Sequence, residues 1–200
     1  MTWLIKFLAL TASLLLAATS GILGQAPSAQ ASASPRTWFV AQSGTPSLGS
    51  GTSCSSPDSV GADDTAIRVV LAAVTTDDTI TICGGTYAIT QTLVVDDSIT
   101  IQGLSATESV LDGGSAVQIM RIDDAAFDSS APPEVNARVT DLTFQYGRAI
   151  EAGTDDCNAK AQCGGAIYVE DESSLTVRRS YFAGNRSNFI GGAIGNAGQG

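Results

Sequence analysis

"CGGAIYVEDESSLTVRRSYFAGNRSNFIGGAI", residues 163–194, carries the letters Gly-Gly-Ala-Ile twice: Gly164, Gly165, Ala166, Ile167, and again Gly191, Gly192, Ala193, Ile194. A fixed period of about 20–50 residues marks a repeat architecture, in which one small unit cannot bury its apolar face alone and must stack on its neighbours. The step from Gly164 to Gly191 falls within that window. Between the copies lie short apolar runs, SLTV (174–177), SYF (180–182) and NFI (188–190), each bounded by turn residues. Three short strands per unit, stacked about 4.8 Å apart, make a parallel β-solenoid with one repeat per coil. Paired glycines at a corner allow positive φ and a sharp bend. Val177 and Phe182 recur in the preceding coil as Val139 and Phe144, each pair five apart. That offset, from Val139 to Val177, is longer than the one between the Gly-Gly-Ala-Ile copies. The acidic segment 151–163 accounts for the extra length as an inserted loop. Asn185, three residues after Phe182, falls where a turn is needed, and its amide can bond backbone groups there or an Asn of an adjacent coil. The earlier coil has Gly147 at the matching place. The competing architecture is an antiparallel sandwich with a chance repeat.

Working outward, period-two runs continue toward the N-terminus: GAIYV (165–169), RVTDLTF (138–144), VQIMRI (117–122), SVLDG (109–113), SITIQG (98–103), TLVV (92–95) and TITIC (79–83). GGTY (84–87) reads as a turn, and 123–136 as a polar, Pro-containing loop. No helical pattern separates these runs, which disfavours an α/β sheet with crossover helices. Ahead of them, DDTAIRVVLAAV (63–74) places Ile67, Val70, Leu71 and Val74 at i, i+3, i+4, i+7. That spacing predicts a helix over 63–75 with Asp63 or Asp64 at its N-cap. Such a helix would cap the open apolar end and the unpaired strand edges of the first coil. Segment 34–62 is rich in Ser, Gly, Pro and Thr and reads as loop around one strand, Trp38-Phe39-Val40.

Residues 1–33 read as a secretory signal. Lys6 is followed by an apolar run, FLALTASLLLAA (7–18), and by A-x-A at 29–31 and 31–33. The run is short for a bilayer and broken by Thr11, Ser13, Thr19 and Ser20. The remainder reads as one secreted domain, 34–200. The chain has 10 basic and 20 acidic residues, a net charge of −10, and no histidine. That balance disfavours nucleic-acid binding through phosphates, and it leaves no histidine for acid–base catalysis or zinc ligation. Four cysteines in an exported chain read as two disulfides; Cys54–Cys83 and Cys157–Cys163 are favoured because each pair brackets one local unit.

Two stretches resemble known families. "WFVAQSGTPSLGSGTSCSSPDSVGADDTAIRVVLAAVTTDDTITICGGTYAITQTLVVDDSITIQG" (38–103) resembles the N-terminal region of secreted pectin-lyase-like proteins, with an Ala-rich capping helix, a Gly-Thr-Tyr turn and an ITI-x-G strand. The doubled GGAI with FAGN (182–185) is similar to the repeats of polymorphic outer membrane proteins, GGA(I/L/V) and F-x-x-N. The resemblance implies an all-β, right-handed single-stranded parallel β-helix with a short N-terminal helical cap. It also implies either adhesion at a cell surface or a polysaccharide lyase or glycoside hydrolase, whose acidic cluster and Arg or Lys lie on mid-helix coils. The chain departs from both patterns: it shows no outer-membrane barrel and no recognisable lyase site. It reaches Gly200 just as a coil has begun, so we read it as the N-terminal part of a longer protein, with more coils beyond.

The densest acidic groups are Asp155-Asp156 and Glu170-Asp171-Glu172. Several carboxylate oxygens around one point suit calcium, and two separated carboxylates suit glycan cleavage; a solvated loop and turn is the simpler expectation. Arg178-Arg179 would stabilise developing negative charge, or simply pair with the nearby acidic turn. Tyr87, Tyr146, Tyr168 and Tyr181 would stack on sugars if exposed, with core or edge packing the simpler expectation. Asn185-Arg186-Ser187 matches a glycosylation acceptor, a match expected by chance. No catalytic residue and no cofactor is assigned. The expected function is adhesion or interaction with extracellular glycans or proteins; the alternative is an enzyme whose site lies mostly beyond residue 200.

Overall fold

A computed structural model describes residues 34–122, 135–149, 163–170, 173–189 and 191–196. Residues 1–33, the Cys157–Cys163 pairing, and Asp155, Asp156, Asp171 and Glu172 therefore lie outside the described residues or depend on ones that do.

The described residues are all-β apart from one short helix, and every pairing between named strands is parallel. The antiparallel sandwich is thereby excluded. After β1 (Thr37–Ala41), β2 (Ser59–Val60) and α1 (Asp64–Leu71), strands visit three sheets in turn. The first circuit is β3 (Thr79–Ile82), β4 (Gly85–Ala88) and β5 (Leu93–Val95); the second is β6 (Thr100–Gly103), β7 (Ser109–Asp112) and β8 (Met120–Ile122). The third is β9 (Asn136–Thr140), β10 (Thr143–Gln145), β11 (Arg148–Ala149) and β12 (Ile167–Val169). The fourth is β13 (Ser174–Arg178), β14 (Tyr181–Ala183), β15 (Arg186–Ser187) and β16 (Ile194–Asn196). Sheet I runs β13-β9-β6-β3-β1-β2, sheet II β14-β10-β7-β4 and sheet III β16-β12-β8-β5, with β11 and β15 paired between II and III.

Register follows the repeat. Ile167 lies opposite Ile194, its counterpart in the second Gly-Gly-Ala-Ile copy, while Val139 faces Val177 and Phe144 faces Phe182. Parallel register stacks like on like, and the core includes one long column of this kind from each sheet. Sheet I contributes Trp38, Ile80, Ile101, Val139 and Val177; sheet II contributes Tyr87, Leu111, Phe144 and Phe182. Sheet III contributes Leu93, Met120, Ile167 and Ile194. Nearly all are buried until the last circuit, where Phe182 is only partly covered and Ile194 is exposed. Each fully buried side chain of this size is worth about 1.5–3 kcal/mol relative to exposure. The Phe144 and Phe182 rings stack with centroids 5.1 Å apart.

The doubled glycines divide their work. Gly164 and Gly191 both sit at φ +65, and a Cβ on either would strike the carbonyl oxygen three residues ahead, that of Ile167 or Ile194. Gly165 serves a different need, because a Cβ there would lie 2.6 Å from both Arg186 N and Gly192 O. It lets the next circuit's backbone close in. At the same corner Gly147 N donates to Asn185 Oδ1 at 2.7 Å, and Asn185 Nδ2 donates to the Phe144 carbonyl at 2.9 Å. Asn185 thus binds the backbone of the circuit below it, rather than that of its own bend or an Asn of that circuit.

Four expectations need correction. The helix is Asp64–Leu71, shorter than 63–75. Asp63 is its N-cap, accepting from Thr65 N, but after Ala72 the chain turns so that Thr75 N donates to Asp78 Oδ2 at 3.0 Å. That carboxylate captures the backbone before another helical turn forms, yet Val74 stays buried. GGTY is largely strand, not turn: β4 carries Tyr87 into the core, where its hydroxyl donates to the Val40 and Cys83 carbonyls. RVTDLTF is two strands, β9 and β10, separated by Asp141 at φ 58. NFI forms no strand over 188–189; Arg186–Ser187 does instead, and β2 and β11 also went unread.

The helix packs on β1, β2 and β5, with Ala66, Ile67, Val70 and Leu71 buried. It therefore lies against strands at the first-circuit end of sheets I and III, as a cap should. Cys54–Cys83 is a disulfide, but it ties the turn at 53–56 to the end of β3 rather than tying down the helix itself. Cys163 is also disulfide-bonded, its partner lying outside the described residues.

Candidate functional site

A buried carboxylate is the usual first suspect for chemistry, so where each one is used matters. Asp58 is buried and accepts on Oδ1 from Arg36 Nη2 at 2.6 Å and from Gly49 N and Gly51 N at 3.0 Å; its Oδ2 takes Phe39 N at 2.9 Å. Asp78 accepts from Arg36 N at 2.7 Å and from Trp38 Nε1 at 2.8 Å. Burial pushes its carboxyl up, but these bonds and those from Thr75 outweigh it and hold the group below its ordinary range. Asp64 behaves alike: burial raises it, while Thr90 N at 2.9 Å, Thr90 Oγ1 at 2.6 Å and Arg68 bring it below its ordinary value. These three acids organise loops and caps. Arg36, held by Asp58, also lies 4.1 Å from the Trp38 ring centroid.

The outer faces carry side chains with fewer commitments. On sheet I one outward column reads Thr37, Thr79, Thr100, Arg138, Thr176; the next reads Phe39, Thr81, Gln102, Thr140, Arg178. Arg138 and Arg178 are exposed and sit diagonally on adjacent strands. Neither forms an ion pair among the described residues. Beside Arg138 lies an open recess of about 440 Å³, lined by Thr76, Asp77, Ser98, Thr100, Asn136 and Arg138 among others. On sheet II the outer face holds Asp112 and Gln145, bonded to each other at 2.8 Å, and Tyr181 one strand further on.

The residues singled out from sequence are dispersed. Glu170 is buried, with its carboxylate 3.3 Å from Arg121 Nε. Among the described residues no three His, Cys, Asp or Glu side chains gather as a metal site. The acidic turn expected to hold Arg179 includes Asp171 and Glu172, outside the described residues; among those described, Arg179 pairs with Asp141. Its Nε and Nη2 each reach Asp141 at 2.7 Å, and Nη2 also donates to Thr140 Oγ1 at 3.0 Å. The reason is register: Asp141 and Arg179 both occupy the corner after the sheet I strand, both at positive φ, one circuit apart. The Arg179 hydrogen bonds, with one from Thr140, pull the Asp141 carboxyl down to about 2. The tyrosines split. Tyr87 and Tyr168 are buried, but Tyr146 is 48% and Tyr181 63% exposed, against the packing expected of all four. Burial pushes the Tyr87 hydroxyl up to about 12. The Asn185 amide is committed to backbone on both its oxygen and its nitrogen, which disfavours its use as a glycan acceptor.

Sequence reasoning missed the sheet I face, because which polar residues share a face depends on register across circuits of unequal length. The alternation in TITI (79–82) was the available signal: its isoleucines point inward, so its threonines point out.

Comparison with family models, with curated proteins and with solved structures finds no match. Among the described residues no helix is long and apolar enough to cross a membrane. The Cys54–Cys83 disulfide fits an oxidising, extracellular compartment.

Proposed function

We propose that the chain is a right-handed parallel β-helix of the pectin-lyase-like type that works outside the cell as an interaction module, binding extracellular glycans through its sheet I face. The observation that carries this reading is the pair of in-register outward columns in which Thr100, Gln102 and Arg138 lie together, next to the polar recess. Hydroxyl, amide and guanidinium groups at strand spacing match a ligand that is itself a linear array of hydroxyls. The recess volume is in the range of small-ligand sites. Strand pairing holds these groups in place without ligand, so little ordering cost accompanies binding. Asp58, Asp64, Asp78, Asp141 and Glu170 are each held by structural partners, which counts against these five as groups for cleavage.

The test is retention of the intact chain on immobilised xylan, mannan and galactan, compared with Arg138→Ala and Thr100→Ala. Binding to at least one, weakened about tenfold by Arg138→Ala, supports the reading. No retention on any of the three, or retention unchanged in both variants, overturns it. Release of reducing ends or unsaturated sugars by the unmodified chain would move it to the cleavage class.

A further inference from the structure

β11 and β15 pair so that Arg148 stands directly opposite Arg186. Both arginines are exposed while Ala149, next along β11, is buried. The two side chains therefore leave one outer face, with their strands about 4.8 Å apart. Like charges directly opposed across strands destabilise a sheet. The chain has acids to spare, 20 against 10 bases. Arg36, Arg68, Arg121 and Arg179 each lie against a carboxylate. Among the described residues neither Arg148 nor Arg186 does; Arg148 Nη1 donates only to the Ser115 carbonyl, at 3.3 Å. The strands cannot relieve the repulsion by parting, because Arg186 N donates to the Gly147 carbonyl at 2.9 Å and Asn188 N to that of Ala149 at 3.0 Å. The backbone thus holds the bases of the two arginine side chains one strand spacing apart, with no carboxylate of the described residues paired with either.

We propose that Arg148 and Arg186 form a binding site for a sulfate ester on an extracellular sulfated glycan. This inference rests on the extracellular glycan-binding reading and adds a second, charge-selective contact to it. One guanidinium fork matches the two coplanar oxygens of a carboxylate. A sulfate ester presents three terminal oxygens as a tripod, so it can bond to both forks from outside their planes, where a carboxylate has only two oxygens in one plane to share between them. An anion there also converts the Arg–Arg repulsion into two attractions, so ligand binding stabilises the fold.

The test is calorimetric titration of the intact chain with dextran sulfate, carboxymethyl dextran and unmodified dextran, repeated on Arg148→Gln, Arg186→Gln and the double variant. Dextran sulfate should bind, carboxymethyl dextran more weakly, and dextran not at all. The double variant should lose about tenfold or more in affinity for dextran sulfate. Its melting temperature without ligand should be unchanged or higher, which separates loss of the site from loss of the fold. Equal dextran sulfate affinity in the double variant overturns the site, as does carboxymethyl dextran binding as tightly as dextran sulfate. Either failure leaves the sheet I reading standing, because that reading is tested with uncharged glycans and Arg138→Ala.

Discussion

The two ends of the described chain are held by different chemistry. Around β1, β3 and α1, single acids collect many donors: Asp58 and Asp78 bind backbone N–H groups, an arginine and an indole, and a disulfide closes the 53–56 turn onto β3. Each contact there occurs once. From β9 to β16 matching positions one circuit apart face each other instead: Val139 and Val177, Phe144 and Phe182, Asp141 and Arg179, Gly147 and Asn185. A terminal circuit has no neighbour to copy, so its edges and apolar end need contacts invented for the purpose. An internal circuit needs only backbones able to approach closely, and glycine allows that.

The sharpest break of this comparison is Gly165→Ala. Its Cβ would press on the backbone at Arg186 and Gly192, neither of which can yield as a flexible side chain would. We expect a loss of about 3–4 kcal/mol in urea unfolding, with amide exchange rising first in β11, β12, β15 and β16 and the first-circuit strands still protected. Opening the other end, by replacing Cys54 and Cys83 with serine, should cost up to about 3.6 kcal/mol, the loop-closure value for this sequence separation of 29. Here exchange should rise in β1 and β3 while β9 and β13 stay protected. Loss of protection spread evenly over both ends in either variant would show that the two regions unfold as one unit.

Acid gives the smallest and most graded effect. Asp64, Asp78 and Asp141 all have folded-state carboxyls below the ordinary value of 3.8. Their stabilising contribution is therefore complete above that value and is lost as pH falls through the folded values, which for Asp141 means from about 4 toward about 2. Asp64 and Asp78 are buried, whereas the Arg179 partner of Asp141 is exposed. The first-circuit end should therefore lose exchange protection more than the β9–β13 corner over that range. Greater loss at the β9–β13 corner would reverse the assignment of acids to the terminal seal.

What repeats was legible from sequence. The return of Gly-Gly-Ala-Ile and the longer return of Val and Phe are both true registers, because parallel stacking places like residues opposite one another. The capping helix was legible from its apolar face. What occurs once was hidden. Nothing in "DDTITI" says that the second aspartate reaches back to Arg36 and Trp38, far earlier in the chain. β2, β11 and β15 have two residues each, too few for any alternation to declare itself. The outer faces were hidden for a third reason. Arg138 joins the Thr37–Thr79–Thr100 column only because the step from Thr100 to Arg138 is much longer than the step from Thr79 to Thr100.

That inequality of steps has a consequence for how the molecule accepts change. Segments 96–99 and 170–173 are all that joins β5 to β6 and β12 to β13, but β8 reaches β9 through 123–135 and β11 reaches β12 through 150–166. The ladders on either side hold the same alignment regardless. Chain length is therefore an adjustable variable at two corners and a constant along the strands. One residue added within β9 or β13 would turn every following side chain of that strand to the wrong face, a constraint that the ladders do not place on the number of residues between β8 and β9 or between β11 and β12.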